Sequence, residues 1–236
     1  MKINRQIIYV FLVFIGSIVL ICCAMYQVVT PHDISNVFFA MFGTFLGALF
    51  AFRLNESKDL AKIDKDRKSA LNHALFILAR QHNALQSFAK HLALHSTDFD
   101  RAFNLPAQKP PSYSDLIHDF QELEFLLESS DPDVLMRLAV EQESFHQTIE
   151  SIRIRNEFYV NELQPALALS NLNFRRVSLN ELEARLGVRL ISTAISAAKN
   201  LYFHVESTEA SLAAMRVDLF KVAKIIFPKD LFIKYS

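Results

Sequence analysis

Apolar side chains come first in this chain, in long uncharged runs. Ile7 to Val29 passes 23 residues without a charge, and Ile34 to Phe52 does so over 19. A hydrocarbon core of ~30 Å takes about 20 apolar residues as helix. The pattern therefore predicts a two-helix transmembrane hairpin over 1–54, with spans at about 7–29 and 34–52. Thr30-Pro31-His32-Asp33 supplies the turn, Pro31 ending one helix and Asp33 capping the next. Lys2 and Arg5 precede the first run, Arg53, Lys58, Lys62, Lys65, Arg67 and Lys68 follow the second, and the turn has neither Lys nor Arg. Excess positive charge marks the cytoplasmic side, so both termini are expected inside a bacterial inner membrane crossed twice.

Other readings of the same runs are open. A secretory signal peptide has an apolar core of ~7–15 residues, which Ile7–Val29 exceeds. Leu20-Ile21-Cys22-Cys23 faintly resembles a lipoprotein cleavage site, although the residue before the modified cysteine is normally small. The second run also fits a buried core helix, but its basic flank favours a membrane. Within it, Asn36, Ala40, Gly43, Gly47 and Ala51 recur at spacings of three and four, among six phenylalanines. Gly43 and Gly47 make a G-x-x-x-G, which lets helix backbones approach closely in lipid. This stripe packs either on the first run, near Gly16 and Ser17, or between copies of the chain.

From residue 55 the pattern changes. Glu56, Lys58, Asp59, Lys62, Asp64, Lys65, Asp66, Arg67 and Lys68 alternate in sign, with i,i+4 pairs that support a solvated helix. That predicts a charged helical stalk over 55–70. Residues 71–236 are expected to form a cytoplasmic bundle of long antiparallel coiled-coil-like helices, with a Pro-rich loop at 96–113. Leu71, Leu78, Leu85 and Leu92 keep a seven-residue period, the mark of a helix seam. A short helix is expected from Asp115 to Ser129, capped by Ser114. Asp131-Pro132 opens a longer one whose rows are Leu138, Phe145, Ile152 and Tyr159, beside Leu135, Gln142, Ile149, Asn156 and Leu163. Pro165–Val177 reads as irregular, a loop with room for a short helical turn. Ser178-Leu179-Asn180-Glu181 is a capping box for a last helix reaching Phe227, with Gly187 as an early break.

Composition narrows the chemistry. Lys plus Arg equals Asp plus Glu at 25 each, which leaves no basic footprint for nucleic acid. Leu, Ala and Phe are abundant and glycine is scarce, which favours helices over sheets. Cys22 and Cys23 sit side by side in the first apolar run and make neither a disulfide framework nor a zinc site. His91 and His95 are spaced i,i+4, which can hold zinc, but two further ligands would have to come from residues such as Asp98 or Asp100. Two exposed histidines explain the spacing as well, and His82, on the seam, reads as a satisfied interior residue. The chain shows no G-x-S-x-G, phosphate-binding glycine loop, C-x-x-C or H-E-x-x-H. No catalytic residue and no cofactor is expected.

The uncharged hairpin 7–52, Gly43/Gly47, the alternating charges of 55–68 and the leucine heptads together resemble two-span helical effectors of bacterial anti-phage defence, retron-type membrane effectors among them. That resemblance implies an inner-membrane toxin which permeabilises the membrane when released from a cytoplasmic partner, such as a defence-system nucleoprotein complex. It implies the lipid bilayer and a second copy or a protein partner as contacts. A non-toxic membrane-anchored scaffold that recruits a partner through its bundle, or a small channel subunit, fits the same features.

Overall fold

The computed structural model describes residues 14–16, 18, 19, 21, 22, 25, 31–108, 115–172 and 178–234. The chain divides into two compact units, Met1–Ile63 and Asp64–Ser236. Helix α1, Pro31–Leu92, runs for 62 residues and contributes to both. Pro31 is its first residue, where a missing N–H is harmless.

In the first unit, the side chains from Phe39 to Ile63 are exposed or half-exposed. Thr44 donates to the Ala40 carbonyl at 2.9 Å, a local bond within the helix. The expected transmembrane hairpin is corrected here. Its first span, 7–29, lies for the most part outside the described residues. Its second span is the opening third of α1, and among the described residues no helix is long and apolar enough to cross a membrane. The apolar stretch does not end its helix, which continues without a break into the charges that begin at Arg53. The two-pass inner-membrane placement, with both termini inside, and the lipid bilayer as partner fall with the hairpin.

The second unit is built on three long helices. Residues 64–92 of α1 are joined by α3, Asp133–Phe158, and α6, Val188–Ile226. Between them lie α2, Asp98–Phe103, a 3-10 helix at Glu124–Glu128, a π turn at Tyr159–Leu163, α4, Gln164–Leu169, and α5, Leu179–Leu186. Only Glu124–Glu128 of the expected 115–129 helix is helical. Its carbonyl and amide groups are instead drawn into side-chain contacts, with Asp119 accepting from the N–H groups of Gln121 and Glu122. At the start of 165–177, expected to be a loop with a short helical turn, Gln164–Leu169 is a short helix with Pro165 in its first turn.

Cross-links fix the helix directions. Gln81 of α1 meets Gln142 of α3, and Leu92 and Ile152 share one apolar cluster farther along, so these helices run parallel. Lys68 meets Asp230 at 3.1 Å, while His82 meets Glu209 at 3.1 Å, so α6 runs antiparallel to α1. Leu71, Leu78 and Leu85 are buried with Leu138, Phe145, Leu212 and Leu219 in the main core. Leu92 packs in a second cluster with Leu105, Ile152 and Leu201. The heptad leucines are thus the α1 contribution to the bundle interior.

Two local signals act as the sequence predicts. Ser178 Oγ accepts from the Glu181 N–H at 3.3 Å and starts α5. Gly187 has φ +80° and ψ 148°, and separates α5 from α6. An L side chain is strained in that region, so glycine belongs there.

A polar layer crosses the bundle. Gln81 Nε2 donates to the Leu116 carbonyl at 3.0 Å and to Gln142 Oε1 at 3.2 Å. The His118 N–H donates to the same Gln142 oxygen at 3.3 Å. Nearby, Thr148 and Thr208 share a hydroxyl bond of 2.8 Å between α3 and α6.

Candidate functional site

The expected assembly residues Asn36, Ala40, Gly43, Gly47 and Ala51 are all exposed. A Cβ built on Gly43 or Gly47 meets nothing within 4 Å, and the same is true of Gly16. Among the described residues, then, nothing packs closely on either glycine of this stripe, and most of the first apolar run lies outside them. The other expected pattern, Leu71, Leu78, Leu85 and Leu92, lies inside the bundle and is closed to partners.

A different face of α1 is open. Leu46, Leu49, Arg53, Glu56, Leu60 and Ile63 alternate three and four apart. At 3.6 residues per turn they fall within an arc of about 100°. Leu49, Leu60 and Ile63 are 39%, 59% and 46% exposed, and Phe50 and Phe52 beside them are 68% and 66% exposed. Lys58 and Lys62 lie on the opposite arc. Among the described residues, no buried cluster contains a residue before Ala70. In the middle of this otherwise apolar row sit Arg53 and Glu56, 3.8 Å apart and each half-exposed. An ion pair this open adds little to the helix itself.

In the second unit, Arg155 is buried and has no carboxylate partner among the described residues. Nη1 donates to the Pro106 carbonyl at 3.2 Å and to Asn156 Oδ1 at 3.4 Å. Nη2 donates to the carbonyls of Arg101, at 3.2 Å, and Leu105. Its guanidinium also stacks over the Tyr159 ring at 4.6 Å. Burial pulls its pKa down to about 10, opposed in part by Tyr159. It remains a cation at neutral pH, held by backbone dipoles. A groove of about 420 Å³ between α3 and α6 reaches it, lined also by Ser151, Ser196, Asn200 and His204. Both terminal nitrogens are occupied by the 101–106 segment and Asn156, so Arg155 is a strut for that segment.

The histidines expected to be candidate ligands take local partners. His91 Nδ1 bonds the Ser87 carbonyl at 2.8 Å, and His95 Nδ1 bonds Asp100 at 3.1 Å. Among the described residues, no group of three or more His, Cys, Asp or Glu is placed to hold a metal. His82 is buried and its Nε2 pairs with Glu209 at 3.1 Å, but its Nδ1 has no hydrogen-bond partner among the described residues, so the ring is only half satisfied.

Sequence reasoning missed the open row because the stalk was read for its charge alternation. The three-and-four spacing of Leu46, Leu49, Leu60 and Ile63 was present to be found. Nothing in the sequence marks Arg155, whose three backbone acceptors lie 49 to 54 residues away.

The chain matches no protein-family model, no curated protein and no solved structure. The resemblance to two-span anti-phage effectors is corrected accordingly: among the described residues no helix is long and apolar enough to supply its hairpin, and no family model, curated protein or solved structure supports it.

Proposed function

We propose that this chain works by binding another protein rather than by turning over a substrate, with the N-terminal half of α1 as the binding element. The single observation behind this reading is the row from Leu46 to Ile63 on a continuous helix, apolar at four of six positions, with Leu49, Leu60 and Ile63 exposed and Leu46 half-buried. Burying one such side chain is worth roughly 1.5–3 kcal/mol, so covering the row on association is strongly favourable. A helix that offers apolar positions at this spacing is read by another helix laid along it. The occupant is therefore an amphipathic protein helix that carries apolar side chains and both signs of charge, to answer Arg53 and Glu56.

A membrane-permeabilising toxin rested on the hairpin and is set aside with it. The bundle, residues 64–236, serves in this reading as the folded body that carries the binding helix.

The test is photo-crosslinking in the producing cell, with benzoylphenylalanine in place of Phe50 and, as a control, of Val217, which is comparably exposed on α6. A discrete protein adduct is expected from Phe50 alone, and Leu49→Glu with Leu60→Glu should reduce it to background. Absence of a protein adduct at Phe50, or an adduct unchanged by those two carboxylates, would overturn the reading.

A further inference from the structure

Resting on that reading, we infer that the occupant of the α1 face is a second copy of this chain, laid antiparallel with Arg53 of each copy opposite Glu56 of the other. The row carries its own complement. In an antiparallel pair of helices, positions three apart on one chain face positions three apart on the other, in reversed order. Centring the pair between Arg53 and Glu56 places Leu49 opposite Leu60 and Leu46 opposite Ile63. Because the two-fold axis repeats each contact, every apolar position meets an apolar one, and both charges meet their opposites. Such an interface is isologous, the commonest form in soluble assemblies.

The alternatives are disfavoured by the same residues. A parallel pair in register sets Arg53 against Arg53 and Glu56 against Glu56, both repulsive. A slip of one heptad in the antiparallel pair sets Arg53 or Glu56 against leucine, where a charge loses water and gains no partner. The charged pair thus selects direction and register, while the leucines and Ile63 supply most of the attraction. Phe50 and Phe52 flank the seam and extend the covered apolar area. The contact spans 18 residues, about 27 Å of helix.

The Gly43/Gly47 stripe takes no part in this arrangement, which differs from close glycine packing in needing side chains, not bare backbone. Replacing Gly43 with Ala should therefore leave the assembly intact.

The experiment uses the full chain, with its mass in solution followed against concentration by light scattering. A dimer is expected for the unsubstituted protein. Arg53→Glu or Glu56→Arg alone places like charges opposite each other and should weaken it by roughly tenfold or more. The two together exchange the signs and should restore the original affinity, which a merely structural role for either residue would not do. Direction is read in a Cys22→Ser, Cys23→Ser background. Chains with Leu46→Cys and chains with Ile63→Cys should form a disulfide with each other when mixed, and neither should do so with itself.

A disulfide between two Leu46→Cys chains, or a dimer indifferent to the charge exchange, would overturn the register. A monomeric chain that still gives a Phe50 protein adduct would overturn the second copy as occupant and leave the proposed function standing. A monomer with no protein adduct would remove both. Flotation with phosphatidylethanolamine–phosphatidylglycerol vesicles, abolished by Leu49→Glu, would assign the face to lipid and overturn the inference.

Discussion

His118 shows how much one side chain can be asked to hold. It is 3% exposed, and neither ring nitrogen has a hydrogen-bond partner among the described residues. Burial, reinforced by the neighbouring His73, pushes its pKa down to about 4 from the ordinary 6.5. The folded state thus holds this ring neutral while the unfolded chain takes up a proton below pH 6.5. Its contribution is fully present above pH 6.5 and is lost as pH falls toward 4, by about 3 kcal/mol at most. Urea midpoints measured between pH 7 and pH 4 should fall accordingly, and His118→Leu should flatten the slope; an equal slope in both proteins would reject the account. Arg155 carries a different load. Arg155→Met removes the donors to three backbone carbonyls and should cost roughly 2–4 kcal/mol, seen as a lowered denaturation midpoint. Arg155→Lys should not restore it, because one ammonium cannot span acceptors that a planar fork reaches together.

Among the helices, the points of interruption carry the specific information. Gly187 has open space where a Cβ would go, so Gly187→Ala meets no clash and its cost is purely conformational. Placing alanine at φ +80° should destabilise the protein by roughly 1–3 kcal/mol, measurable as a lower Tm. This break and the Ser178 cap were both legible in the sequence, because each depends on neighbours within four residues. The seams were legible for a related reason: Leu71, Leu78 and Leu85, and Leu138, Phe145 and Ile152, are buried at the seven-residue period the sequence shows. Residues 115–123 were not legible, since their irregular path depends on Gln81 and Gln142, far along the chain, taking up the Leu116 carbonyl and the His118 N–H. The misreading of Ile34–Phe52 as a membrane span has a similar root. A run of apolar residues specifies burial but not the medium, and the helix it belongs to extends 40 residues past Phe52, to Leu92. Of the candidate site, the six-residue row was present in plain spacing but masked by the charges around it.

At the scale of the whole chain, its two compact units should respond to different substitutions. Leu78→Ala with Leu85→Ala removes two fully buried side chains, each worth about 2–5 kcal/mol, from residues 64–236. Hydrogen exchange across α3 should accelerate strongly. Leu49→Ala with Leu60→Ala lies in the other unit, and exchange across α3 should stay unchanged; faster exchange there would show that the row is part of the bundle core after all. The polar layer has a consequence for how the bundle can move. A three-helix core of leucine alone offers several alignments one turn apart, each about 5.4 Å from the next and nearly equal in packing. Here such a slip would carry Gln81 away from Gln142 and Thr148 away from Thr208, stranding amides and hydroxyls in a dry interior. The bundle has one detent where a purely oily one would have many. Pulling or pushing along α1 therefore cannot ratchet it by a turn; it either leaves the three helices where they are or breaks the layer outright.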